Sequence, residues 1–117
     1  MQEVRRTSDG ELCGYVVIDG DAWRALTVFG GVLGRHDAAS AAEQQVRDEG
    51  LASLAERWMY RADRSAEWQV VCIQEASPQS VRLALDYYSM PGVPTVTLSR
   101  ADLDGAAQLE LHPPDVA

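Results

Sequence analysis

The chain has 117 residues, 46% of them hydrophobic, enough for one domain with a single core that needs no metal or disulfide. Its formal charge of −8 repels phosphate backbones and puts general nucleic-acid binding at a disadvantage. All ten basic residues are arginine, which excludes chemistry that requires lysine, such as a P-loop, a Schiff base or a Ser-Lys dyad.

Lysine and asparagine are both absent, and alanine, valine and aspartate are abundant, a composition that reads as a GC-rich bacterial genome. No window approaches the ~18 consecutive apolar residues of a membrane span. The opening MQEVRRTSDGE lacks the apolar centre of a signal peptide, so a cytoplasmic location is the default expectation. Cys13 and Cys72 stand far apart in apolar runs and are expected as buried thiols. Two cysteines with His36 and His112 do not supply the close ligand spacing of a zinc site.

In chain order, Asp9-Gly10 marks a turn, so residues 3–7 are expected to pair with the apolar strand 12–18 as a hairpin. Gly14 inside that strand signals a bulge or a close approach. Asp19-Gly20-Asp21 is a second turn signal, and residues 22–29 follow as a strand. Gly30-Gly31 is read as a two-residue hairpin turn into a short strand over 32–36. A helix over about 38–49 comes next. Asp37 is its expected N-cap, or Ser40 through a capping box with Glu43, and Gly50 is its expected C′ residue with a Leu51–Val46 contact. Ala39, Ala42 and Val46 form the face that should meet a sheet.

Leu51, Leu54 and Ala55 continue at helical spacing through about residue 56. Strands are expected over 57–61, 68–75 and 81–88, joined by the polar turns ADRSAE and SPQS. Pro94 makes 93–98 an edge strand, and Ser99 caps a short turn over 100–104 that stops at Gly105. The tail 108–111 reads as a further edge strand with no guard against β-augmentation. About three strands, one helix and about four strands, with short turns, predict an α+β domain: an antiparallel sheet of about five to seven strands with one main helix on one face.

Four constellations are candidates for function. TVFGGVLGRHD precedes a helix, the setting of a phosphate site, but it lacks the spacing of a phosphate-binding motif, and Asp37 stands where the anion would sit. Glu75, Asp86 and Tyr88 at strand ends, with His36, are candidate catalytic groups if they converge in one pocket. Arg57, Arg61 and Arg64, interleaved with Trp58, Tyr60 and Trp68, are candidate binding residues for single-stranded nucleic acid. Strand alternation places Trp58 and Tyr60 on the core side and leaves the arginines on an outer face, which also suits an acidic segment of another subunit.

Gly34 to Glu43, GRHDAASAAE, following a strand that contains Trp23, resembles the strand-to-helix step of several small domains, including the plant AP2 DNA-binding domain. The resemblance covers about a fifth of the chain and implies only that local step. The acidic charge departs from DNA-binding members, and no functional residue is carried over from them. With no nucleophile motif, metal cluster or cofactor fingerprint, the expected function is a non-enzymatic protein–protein interaction or regulatory module. Its expected partner is another protein or a second copy of itself, a homodimer through an edge strand. The alternatives are a small-molecule-binding or hydrolytic domain using the carboxylate and tyrosine pocket, and a single-strand nucleic-acid binder using the arginine face.

Overall fold

A computed structural model describes residues 1–86 and 90–113. The chain starts with a four-strand antiparallel meander: β1 (Gln2–Arg5), β2 (Leu12–Asp19), β3 (Ala22–Leu26) and β4 (Val32–His36). Its turns are specified locally. Asp9 accepts from the Arg6 guanidinium at 3.0 and 2.6 Å and from the Glu11 amide at 3.0 Å, while Gly10 takes φ +75°. Gly20, at φ +65°, closes the two-residue turn that sets Asp19 opposite Ala22.

The third turn differs from the expected Gly-Gly hairpin. β3 leaves the sheet at Leu26 through an irregularity, and the turn spans Thr27 to Gly31. The fully buried Thr27 organises it. Its hydroxyl accepts from the Gly31 amide at 3.0 Å, and its backbone bonds Gly31 and Gly30. The longer turn lets Phe29 swing into the core, where it meets Trp58 edge-on at a centroid distance of 5.5 Å. Gly31 then has no room for a side chain, since a Cβ there would lie 2.5 Å from the Phe29 ring.

Helix α1 (Ala39–Glu49) lies on β2, β3 and β4 with Ala42 and Val46 fully buried. Neither expected cap forms: the N-cap is Ala38, with no side-chain bond, because packing of the apolar face fixes where the helix begins. Gly50 is also not the left-handed C′ residue expected. It continues in right-handed conformation at φ −54°, and glycine is required there because a Cβ would stand 2.4 Å from the Cys13 carbonyl oxygen. Gly14 meets the same constraint on the sheet. A Cβ would fall 2.0 Å from the Leu26 carbonyl oxygen and 2.9 Å from Val46.

A 3₁₀ turn (Ala52–Ala55) leads into β5 (Arg57–Arg61), β6 (Gln69–Ala76), β7 (Ser80–Ala84) and β8 (Thr95–Ser99). Trp58 is fully buried, and its indole N–H donates to the Ser53 carbonyl at 2.9 Å. β7 is shorter than expected: the chain bends after Ala84, and Tyr87 and Tyr88 lie outside the described residues. Ser99 and Asp102 form the reciprocal capping box of α2 (Arg100–Asp104), which ends at Gly105.

The tail strand β9 (Gln108–Glu110) overturns the expectation of a further edge. It lies inside the sheet, parallel to β4 and antiparallel to β5. Among the described residues nine strands form one mixed sheet, ordered β1-β2-β3-β4-β9-β5-β6-β7-β8, larger than the five to seven strands expected. Its edges are β1 and β8. One core joins both halves through Phe29, Leu33, Trp58, Leu83 and Leu109.

Gly14→Ala is expected to cost about 3 kcal/mol or more, because the methyl group collides with rigid backbone. Gly10→Ala, at a left-handed position with open space around it, should cost about 1 kcal/mol. Urea unfolding followed by tryptophan fluorescence checks both, and equal midpoints would refute the packing argument. The Arg6 guanidinium and the Glu11 amide hold the Asp9 carboxyl down at about 2, below its ordinary 3.8. A lowered carboxyl favours the folded state above its unfolded pKa, and this contribution fades as pH falls from about 3.8 through about 2. The Asp9 carboxyl carbon should therefore titrate near 2 by NMR and move back towards 3.8 in Arg6→Ala.

Candidate functional site

Of the four candidate catalytic residues, the three described ones, Glu75, Asp86 and His36, do not meet. β6 and β7 do form the expected hairpin, but its register sets Glu75 opposite Arg82 at the turn end. Glu75 pairs there with Arg82 at 3.1 Å, on an open surface. Asp86 lies four residues beyond Arg82 and past the end of β7 at Ala84, where the chain bends, away from the turn that holds Glu75. His36 is at the end of β4, three strand positions from β6, or about 14 Å, with its Nε2 2.6 Å from the Gln45 amide oxygen. Tyr88 lies outside the described residues.

The arginine candidates divide as well. Arg57 and Arg61 stand at opposite ends of β5 on one face, about 13 Å apart. The Arg61 guanidinium stacks 4.2 Å from the Trp68 ring centroid, and its Nε donates to the Gln108 side-chain oxygen. Arg64, in the β5–β6 turn, reaches a different place: a cleft of about 590 Å³ beside α2. Trp58 and Tyr60 face the core as alternation requires. Burial pushes the Tyr60 phenol up, and Asp102 of α2 adds to the shift.

The cleft is formed by β3, β4 and β9 on one side and by α2 with the segment after it on the other. Arg24 and Arg35 are cross-strand partners, so their side chains emerge side by side. Arg35 forks onto Glu110 of β9 at 3.0 and 3.3 Å. The Glu110 side chain is 5% exposed and that of Arg35 36%, so the carboxylate is the buried member of the pair. The Arg24 Nε lies 3.5 Å from an Asp19 carboxylate oxygen. Arg100 donates to the Pro78 carbonyl at 3.4 Å, and its guanidinium lies 5.3 Å from the Tyr15 ring centroid. Among the described residues, the Nε atoms of Arg24 and Arg100 are buried without a hydrogen-bond partner. Arg24, Arg35, Arg64 and Arg100 here stand against Asp19, Asp104 and Glu110, a locally positive balance on a chain of formal charge −8.

Sequence reasoning missed Arg24, Arg35, Arg100 and Glu110. One signal was present: Glu110 interrupts the apolar run from Ala106 to Leu111, and a carboxylate inside an apolar strand calls for a cationic partner. Which arginine supplied it was not written locally, since Arg35 is 75 positions away.

Among the described residues, no group of three or more His, Cys, Asp or Glu side chains is placed to hold a metal ion, and no helix is long and apolar enough to cross a membrane. Cys13 and Cys72 are not joined in a disulfide; Cys13 is buried and Cys72 half-buried. These features define an α+β protein with a largely antiparallel mixed sheet, one main helix and an arginine-lined cleft. Compared with protein-family models, curated proteins and solved structures, the chain matches none.

Glu110→Gln leaves the Arg35 guanidinium facing a neutral amide inside the sheet. A loss of about 2 kcal/mol is expected, reduced from the range for fully buried pairs because Arg35 is partly solvated. Replacing both residues by apolar side chains of similar size should cost less than Glu110→Gln alone. Chemical denaturation of the two variants checks the order.

Proposed function

We propose that this protein is a non-enzymatic protein–protein interaction module that acts as a homodimer joined through strand β8. The observation carrying this reading is the character of that edge. β8 ends the sheet, and its residues, Thr95-Val96-Thr97-Leu98-Ser99, bear no charge and no proline. An edge strand presents a row of backbone donors and acceptors that another strand can use.

The sequence of β8 suits pairing with itself. In an antiparallel arrangement centred on Thr97, Thr95 falls opposite Ser99 and Val96 opposite Leu98, so each pair is chemically matched. Such an isologous contact closes as a two-fold dimer. Pro94 on one side and the Ser99 cap of α2 on the other limit the added strand to this segment. The opposite edge is guarded. β1 carries Glu3 and Arg5, its Arg5 carbonyl accepts from Arg47, and its Gln2 side chain bonds Glu43 of α1.

The pocket reading has less support, because Glu75, Asp86 and His36 do not converge. The single-strand reading through Arg57, Arg61 and Arg64 has less support, because Arg64 belongs to the cleft and not to the β5 face.

Thr97 is exposed, and its cross-strand neighbour on β7 is Arg82, so circular dichroism first checks that each variant keeps the fold. Thr97→Lys sets like charges together on the two-fold axis and should raise the dimer dissociation constant about fivefold or more. Thr97→Glu should do the same, and an equimolar mixture of the two variants should restore association. Light scattering across a concentration series reads all three. A wild-type mass fixed at the monomer value of 12.8 kDa, or a dimer indifferent to Thr97→Lys, would overturn the reading.

A further inference from the structure

We propose that the cleft beside α2 is a receptor for a small molecule with a single oxyanion head, a carboxylate or a phosphate ester. Four of the chain's ten arginines line this one cavity. They come from β3, β4, the β5–β6 turn and the first residue of α2, so the fold gathers them although the sequence scatters them. Strands hold Arg24 and Arg35 in fixed register, which pre-organises the guanidinium forks that match the paired oxygens of a carboxylate or phosphoryl group.

The arginines divide between two roles. Arg35 is engaged by the buried Glu110, an arrangement that holds its guanidinium in place and neutralises it. Arg24 is met only at 3.5 Å by Asp19, and among the described residues Arg64 forms no ion pair. The Arg100 Nε–H, buried without a hydrogen-bond partner among the described residues, is the sharper indication, and the Arg24 Nε–H has only the Asp19 carboxylate at 3.5 Å. A buried donor left without an acceptor is destabilising, and an oxyanion in the cleft supplies the missing acceptor.

Charge and shape define the ligand further. The carboxylates of Asp19, Asp104 and Glu110 leave the lining with a balance of one positive charge, which suits a carboxylate or the singly charged form of a phosphate ester. An extended polyanion would also meet the repulsion of a chain at −8. Leu26, Val32 and Leu103 also line the cleft, but Leu26 and Val32 are buried and the exposed lining is mostly polar. A volume of about 590 Å³ accommodates a small organic molecule with its head at the arginines.

The test follows the arginine Nε–H signals of ¹⁵N-labelled protein during titration with acetate, butyrate and inorganic phosphate, with sodium chloride as the ionic-strength control. The Arg24 and Arg100 Nε–H signals are expected to move saturably with butyrate or with phosphate and to stay still with chloride. Tighter binding of acetate or butyrate than of phosphate assigns a carboxylate head; tighter binding of phosphate assigns a phosphoryl head. Arg64→Gln, an exposed turn substitution whose fold circular dichroism checks, should weaken the saturable binding at least about threefold. Shifts that follow ionic strength alone, saturable shifts that bypass both Nε–H groups, or unchanged affinity in Arg64→Gln would each overturn the proposal.

Discussion

The backbone of β9 is paired on both sides, in parallel with β4 and antiparallel with β5. Among the described strands, no other pairing connects the first meander, β1 to β4, with the second, β5 to β8. Three residues therefore carry the continuity of the sheet. Val32 and Met59 both register on Glu110, and the Leu111 amide extends the bridge by donating to the Val32 carbonyl at 2.9 Å. A parallel neighbour cannot be reached by a tight turn, and the chain meets that requirement by running the whole second meander and α2 before returning. Glu110 thus sits where the two halves meet, and its ion pair with Arg35 fastens the same seam through side chains.

Close packing on the helix side complements that seam. Gly14, Gly34 and Gly50 remove side chains where α1 presses on the sheet, so Val46 and Gln45 approach the backbone directly. The opposite demand is met at the Thr27 turn, where Phe29 enters the core and edges onto Trp58. Both devices draw the strands bearing Arg24 and Arg35 into one rigid surface. The cleft inherits its geometry from this scaffold and not from a mobile loop, as a pre-organised charged site requires.

Much of the local architecture was legible in the residues. Asp9-Gly10, Gly20-Asp21, Ser77 to Ser80 and the Ser99–Asp102 box all make turns or caps whose bonds close within a few positions. The alternation that buried Trp58 and Tyr60 was legible for the same reason. Where the reading failed, the deciding contact was distant. Gly50 looked like a left-handed cap, but its role is set by the Cys13 carbonyl, 37 positions earlier in the chain. Asp37 and Ser40 had the chemistry of caps, yet the burial of Ala42 and Val46 positioned the helix. Glu75 and Asp86 looked like neighbours because both end strands, and an antiparallel register sends such ends apart.

By itself, the sequence determined most of the turns, most of the strands and the main helix, the inward face of β5, and the acidity of the whole. These properties depend on backbone preference and on periodicities of two and 3.6, which act within a few residues. Only the tertiary structure decided that the tail strand is central and β8 an edge, and that four scattered arginines share one cleft with Glu110. Those outcomes rest on pairing and ion pairs between residues up to 78 positions apart, which cost loop closure first and are stabilised only when the complete core has formed.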